Sequence, residues 1–206
     1  LIKNERIEKI AAVIDEPNAI EIDATNKLLI PGIIDDQVHF REPGFTHKAN
    51  IYTESRAAVA GGTTSFMEMP NTNPAATTQQ LLEEKYAIAA RDSVANYSFF
   101  MGASNINYEQ VMQTDVQNFC GIKIFMGSST GNMLVDDEST LIKLFANAPC
   151  LIATHCEEES RIKARKYEYE KADVTAEIHP IIRDVEACYL SSSKAIKLAQ
   201  KFNTRL

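Results

Sequence analysis

The rhythm of apolar and polar positions changes near residue 30. Before it, short alternating pieces such as Arg6–Ile14 and Ala19–Asp23 are separated by Pro and Asn turns, the pattern of small β-strands. After it, apolar runs near 29–38, 64–69, 96–101, 119–126 and 150–155 predict strands. They alternate with helical periodicity near 50–60, 78–92, 107–115, 138–146 and 180–202. The run Leu28–Ile34 is apolar on both faces, which suits a strand covered by helices. Strands alternating with helices at this spacing imply right-handed βαβ units and a parallel sheet, hence an α/β protein. A doubly wound sheet has the same rhythm, but the Gly-x-Gly-x-x-Gly turn of its nucleotide-binding form is absent. A parallel (β/α)8 barrel is preferred, with five strands countable and about three more expected beyond Leu206. The charged segment Glu157–Ala172 predicts a solvated surface helix.

Candidate chemistry gathers at strand ends. The string Asp35-Asp36-Gln37-Val38-His39-Phe40-Arg41-Glu42-Pro43-Gly44 delivers a histidine and an arginine into a Pro/Gly turn. Strand alternation would face Gln37, His39 and Arg41 to one side at the carboxyl end, where a parallel barrel carries its chemistry. By residue type, His39 is either a hydrogen-bonded structural histidine or a metal ligand. Arg41 presents a fork of donors suited to a carboxylate, or makes a rim salt bridge to Glu42 or Asp36. Asn71, in a Pro-Asn-Thr turn, is a ligand for substrate or a simple turn residue. Lys123 stands between Ile122 and Ile124, where an isolated buried cation is costly; by residue type it snorkels or pairs with a carboxylate at the rim.

Four segments, in order, resemble the dihydroorotase family of the cyclic amidohydrolases, over about the amino-terminal half of such a protein. The first is the His39 string with its Phe-Arg-Glu-Pro-Gly continuation. The second is Gly61-Gly62-Thr63-Thr64-Ser65-Phe66-Met67-Glu68-Met69-Pro70-Asn71-Thr72-Asn73-Pro74. The third is Gly121-Ile122-Lys123-Ile124-Phe125-Met126-Gly127, and the fourth Ala153-Thr154-His155-Cys156-Glu157. The resemblance implies a metal-dependent-hydrolase barrel, incomplete here at residues 31–206, with part of a small flanking β-sandwich domain at 1–30. It implies His39, Lys123 and His155 as metal ligands, Lys123 carboxylated, and one or two zinc ions as cofactor. It implies Arg41 and Asn71 as substrate-binding residues. The family's general-base Asp is expected beyond Leu206, since Asp136 and Asp137 read as a helix-start turn.

The implied reaction is reversible hydrolysis of L-dihydroorotate to N-carbamoyl-L-aspartate in pyrimidine synthesis, where a divalent metal lowers the pKa of water towards about 7. One departure is Gln37, where the family has a second histidine; an amide is not among zinc's usual ligands, which puts a two-metal site in doubt. A hydantoinase or allantoinase is the rival enzyme, and an inactive, metal-free assembly subunit the rival from another class. Arg41 favours dihydroorotate, because simple hydantoins lack a carboxylate.

Composition changes little. The 206 residues carry a net charge of -7, which disfavours nucleic acid and anionic membranes as partners; the resemblance implies a small-molecule substrate and a homo-oligomer, with a dimer as the expectation. No apolar run approaches the roughly 20 residues of a membrane helix, so cytoplasm is the default. The chain starts without Met and stops inside a helix-to-strand pattern, which reads as a fragment. Cys120, Cys150, Cys156 and Cys188 lack Cys-x-x-Cys spacing and read as free, buried thiols. Cys156 would face away from His155. His47 is expected to be solvated, and His179 either to support the site from behind its ligands or to be structural.

Overall fold

The computed structural model describes residues 1–127, 131–169 and 175–206, in two compact units, Leu1–Pro31 and Gly32–Leu206. Residues 170–172 of the charged segment lie outside the described residues.

In the first unit, β1 (Ile2–Lys3) and β2 (Arg6–Ile7) form a two-stranded antiparallel ribbon, Ile2 opposite Ile7. Asn4 turns the chain at φ 56°, a left-handed conformation that Asn tolerates. The β-pieces expected at Ala19–Asp23 and over the rest of Arg6–Ile14 are not strands. A strand needs a ladder partner, and the only ladder in this unit is two residue pairs long. Ile10, Val13, Ile20 and Ile22 are accordingly exposed.

The second unit alternates strictly: β3 (Ile33–Val38), α1 (Ile51–Ala60), β4 (Thr63–Glu68), α2 (Gln79–Asp92), β5 (Asn96–Gly102), α3 (Tyr108–Met112), β6 (Gly121–Phe125), α4 (Glu138–Asn147) and β7 (Ile152–His155). Then come α5 (Glu159–Glu168), a 3-10 turn at Ala176–Ile178, α6 (His179–Ile182) and α7 (Val185–Phe202). The strands form one parallel sheet in chain order, β3-β4-β5-β6-β7, the curled half of a (β/α)8 barrel. Every strand therefore ends on the same rim. Among the described residues no helix is long and apolar enough to cross a membrane.

Helix starts follow local chemistry. Asn50, Thr78, Asp137 and Asp184 each accept a backbone N–H of their helix's first turn. Asp137 also accepts from Ser139, and these bonds lower its carboxyl pKa to about 2, so the helix-start reading holds. The helix expected over 180–202 is divided: α6 ends at Ile182, Arg183 leaves the helical conformation at φ -105° and ψ 69°, and the extended Asp184 caps α7. The charged α5 buries Ile162 alone, as a solvated helix does.

The core lies between sheet and helices, where Phe66, Tyr86, Tyr97 and Phe99 pack ring to ring and Ile122 and Ile124 join Leu141, Leu144 and Phe145. Alternation then turns Lys123 and Phe125 to the sheet's other face. The strand expected from Leu28 begins only at Ile33. Pro31 has no N–H for a ladder, and Gly32 passes so close to Thr64 that a Cβ would lie 2.1 Å from its hydroxyl. As the sheet's edge, β3 has one neighbouring strand, and Ile33 and Ile34 are exposed rather than covered on both faces. The four cysteines are free, but Cys188 is exposed and the others are only partly buried. Helix caps, turns and register thus place five strand ends side by side.

Candidate active site on the strand rim

Val38, the last residue of β3, pairs with Glu68, and its carbonyl accepts from Met69 N. His39 follows directly, and its Nδ1 meets Asn71 Oδ1 at 2.9 Å. An amide oxygen only accepts, so Nδ1 carries the proton and Nε2 keeps a free lone pair. The two loops are locked together beyond this bond. Asn73 N donates to Pro43 O, and Gly44, at φ +88°, passes so close that a Cβ would lie 2.1 Å from Asn73 O.

Strict alternation does not carry across Gln37, His39 and Arg41. The β3–β4 register shifts between Asp35 and Val38, and Arg41 lies in a turn at φ +69°. Gln37 is exposed. The rim salt bridge considered for Arg41 is not formed: Glu42 Oε2 accepts from Ile51 N at the start of α1. Among the described residues the half-buried Arg41 guanidinium makes no hydrogen bond or ion pair.

Lys123 lies mid-strand on β6, opposite Gly102 of β5 and Ala153 of β7, two small neighbours that leave its stem room. It is 3% exposed, so it does not snorkel. Its Nζ stands 5.2 Å from the Phe125 ring centre, and among the described residues no carboxylate is within ion-pair distance. Burial lowers its pKa, with only the thiol of Cys156 favouring the charge. His155 sits opposite Phe125, on the face that Lys123 shares, with ring centres 6.2 Å apart. Its Nε2 is 2.7 Å from Glu157 Oε2, and Arg183 holds Glu157 through Nε to Oε1 at 2.6 Å. Cys156 Sγ instead meets Thr154 Oγ1 at 3.2 Å, on the opposite side of the strand from His155.

Charge connects these residues. The His39 pKa is lowered first by burial, then by the Arg41 charge and, more weakly, by those of Lys123 and Lys85, against the favourable Asn71 bond. His39, Asn71, Arg41 and Lys123 therefore share one electrostatic neighbourhood, with His155 on the same rim. His47 and His179 are exposed and join no candidate cluster.

Among the described residues no three His, Cys, Asp or Glu side chains gather as a metal site. The donor chemistry nevertheless fits one in which lysine takes part. A neutral His39 with a free Nε2 is a competent ligand, and a buried amine without counter-ion is suited to becoming an anion. His155 retains Nδ1 while Glu157 occupies Nε2.

Two residues that the hydrophobic pattern did not single out are Glu68 and Lys85, a buried ion pair behind this rim. Their signal is charge inside apolar surroundings: Glu68 ends the run Ser65-Phe66-Met67, and Lys85 stands three after Leu82 and four before Ala89.

Residues 26–126 match the family described as dihydro-orotase-like. A dihydroorotase of Methanosarcina acetivorans is 33% identical over 211 residues, covering 100% of this chain and 44% of the relative. A Streptococcus pyogenes dihydroorotase is 33% identical over 199 residues, covering 92% of this chain and 47% of its own length. The chain thus spans about half the length of the curated relatives it matches. Among solved structures, an L-hydantoinase (dihydropyrimidinase) from Arthrobacter aurescens superposes with a TM-score of 0.85 at 23% identity, over 93% of this chain and 45% of that one. That likeness establishes the barrel fold. Motif order, matched residues and fold together show that the chain belongs to the dihydroorotase-like family of the cyclic amidohydrolases.

Proposed function

We propose that the chain carries part of a dihydroorotase active site, which catalyses the reversible hydrolysis of L-dihydroorotate to N-carbamoyl-L-aspartate. The observation that carries this reading is Arg41: a guanidinium without a hydrogen-bond or ion-pair partner among the described residues, beside the bonded His39–Asn71 pair and on the rim that Lys123 shares. Dihydroorotate has a ring amide to cleave and a carboxylate to hold. Hydantoins have only the first. The barrel itself serves both chemistries, so fold does not discriminate.

His39, His155 and Lys123 would hold one or two zinc ions, which supply a Lewis acid to polarise the ring carbonyl and acidify water. The neutral amine of Lys123 attacks carbon dioxide, forms an N–C bond and loses a proton, giving a carbamate whose negative charge suits a cation. Asn71 fixes the His39 tautomer through Oδ1, while its Nδ2 remains available to donate to substrate. Arg41 receives the carboxylate through two parallel N–H bonds and orients the ring. Glu157, held by Arg183, orients His155. In this reading residues 1–30 belong to a small flanking β domain, the general-base Asp comes from outside this chain, and the enzyme is a cytoplasmic homodimer that binds neither nucleic acid nor membrane.

The test is a substrate comparison on the full-length protein. Turnover of L-dihydroorotate without turnover of hydantoin or allantoin supports the reading, and the reverse selectivity makes the protein a hydantoinase or allantoinase. A folded protein that binds no metal and turns over none of the three would be the inactive assembly subunit.

A further inference from the structure

Glu68 ends β4, and Lys85 lies on α2. Both side chains are 1% exposed, with Lys85 Nζ 2.6 Å from Glu68 Oε2. The same ammonium donates to Met69 O at 3.0 Å and lies 4.9 Å from the Phe99 ring centre. Two charges have thus been taken out of water, and burial disfavours both, raising the Glu68 pKa and lowering that of Lys85. Exchanging such a pair for apolar residues of similar size is often neutral or stabilising, so stability alone does not account for it.

Location does. Glu68 sits opposite Val38, directly below the turn that carries His39 and Arg41. The backbone N–H groups of Phe40 and Arg41 favour its charged form. Among the described residues neither carboxylate oxygen makes a well-directed hydrogen bond, so the hold is exerted by charge: an anion beneath two N–H dipoles, its own charge balanced by Lys85. The Phe40 ring is itself buried and packs on Phe66 with ring centres 4.5 Å apart. Above it Arg41 keeps φ +69°, a conformation that a residue other than Gly adopts only under constraint.

We propose that Glu68, kept ionised by Lys85, is a positioning residue that holds the Phe40–Arg41 backbone in its left-handed turn and so aims the Arg41 guanidinium at the substrate carboxylate. What Arg41 receives rests on the dihydroorotase reading; the hold on the turn does not.

The test uses the full-length protein and a cycle of three variants: Glu68→Met/Lys85→Met, Arg41→Met, and the combination. The paired exchange lowers kcat/KM for L-dihydroorotate on the order of 100-fold, mostly through KM, because the guanidinium loses its aim. In the Arg41→Met background the same exchange changes kcat/KM by less than about threefold, since nothing remains to be aimed. Hydrogen exchange supplies a readout independent of activity. The Phe45 amide, bonded to Arg41 O, exchanges about tenfold faster in the paired variant, while β5 and β6 amides keep their rates. Additive kinetic losses with unchanged exchange at 40–45 would overturn the proposal. If the natural protein does not turn over L-dihydroorotate, the functional reading falls and the exchange rates alone decide the positioning. Should the Met pair not fold, Glu68→Gln/Lys85→Met, closer in shape, enters the same cycle.

Discussion

His39 and Asn71, 32 positions apart, meet through Nδ1 and Oδ1 at 2.9 Å, and this one bond fixes which imidazole nitrogen is left for chemistry. It joins the loop after the first barrel strand to the loop after the second. Asn71→Leu removes the acceptor and frees the ring to rotate. Metal affinity should fall about 10- to 100-fold, the usual cost of losing an outer hydrogen bond to a metal-binding histidine. Metal-buffered titration of the full-length variant checks it.

The same imidazole makes a pH prediction. Its pKa lies below the ordinary 6.5, chiefly through burial and the Arg41 charge. A depressed pKa means that His39 favours the folded state fully above 6.5, and that this contribution is lost as pH falls through the lowered value. Arg41→Met removes a repelling charge and should move the midpoint up towards 6.5; Asn71→Leu removes a supporting bond and should move it down. Imidazole NMR on metal-stripped protein reads both directions.

Lys123→Met should abolish turnover and lower metal content while leaving the fold intact, because the residue makes no ion pair among the described residues and its stem is replaced in kind. Near-normal metal and turnover would show that no carbamate forms at this position.

Arg41→Met should lower kcat/KM for L-dihydroorotate about 10- to 100-fold, as expected for a charge-assisted pair worth about 1.5–3 kcal/mol. The melting temperature should hold, since the guanidinium makes no hydrogen bond or ion pair among the described residues. Unaltered kinetics would leave Arg41 without a part in binding.

Gln37→His should raise metal stoichiometry or affinity, by supplying an imidazole where the family has one. Elemental analysis after matched dialysis compares the two proteins. Full two-metal occupancy in the natural protein, unchanged by the substitution, would show that the glutamine is no handicap.

Much of this architecture is written in the chain. Strands β4 to β7 and helices α1, α2 and α4 fall within a few residues of where the periodicity sets them, because each is bounded by local chemistry such as the Asn50, Thr78 and Asp137 caps. Lys123 is legible for a similar reason: a cation between two isoleucines contradicts its surroundings. What periodicity does not register is anything decided by a neighbour. The late start of β3 depends on Gly32 meeting Thr64, and the left-handed turn at Arg41 has no glycine to announce it. Glu68 and Lys85 each look like a lapse in an apolar pattern until strand and helix are laid together. Beyond Arg6–Ile7, the β-like pieces before residue 30 show the converse: alternation without a ladder partner does not make a strand.

Gly44 gives the seam between the loop after β3 and the loop after β4 a particular mechanical quality. No side chain separates Gly44 from the Asn73 carbonyl, so main chain rests on main chain at the closest approach. Spacings maintained by side chains can relax by a change of rotamer; one maintained by backbone cannot. The gap between Arg41 and Asn71 therefore behaves as a fixed gauge, and tolerance for longer or shorter ligands would have to come from elsewhere on the rim.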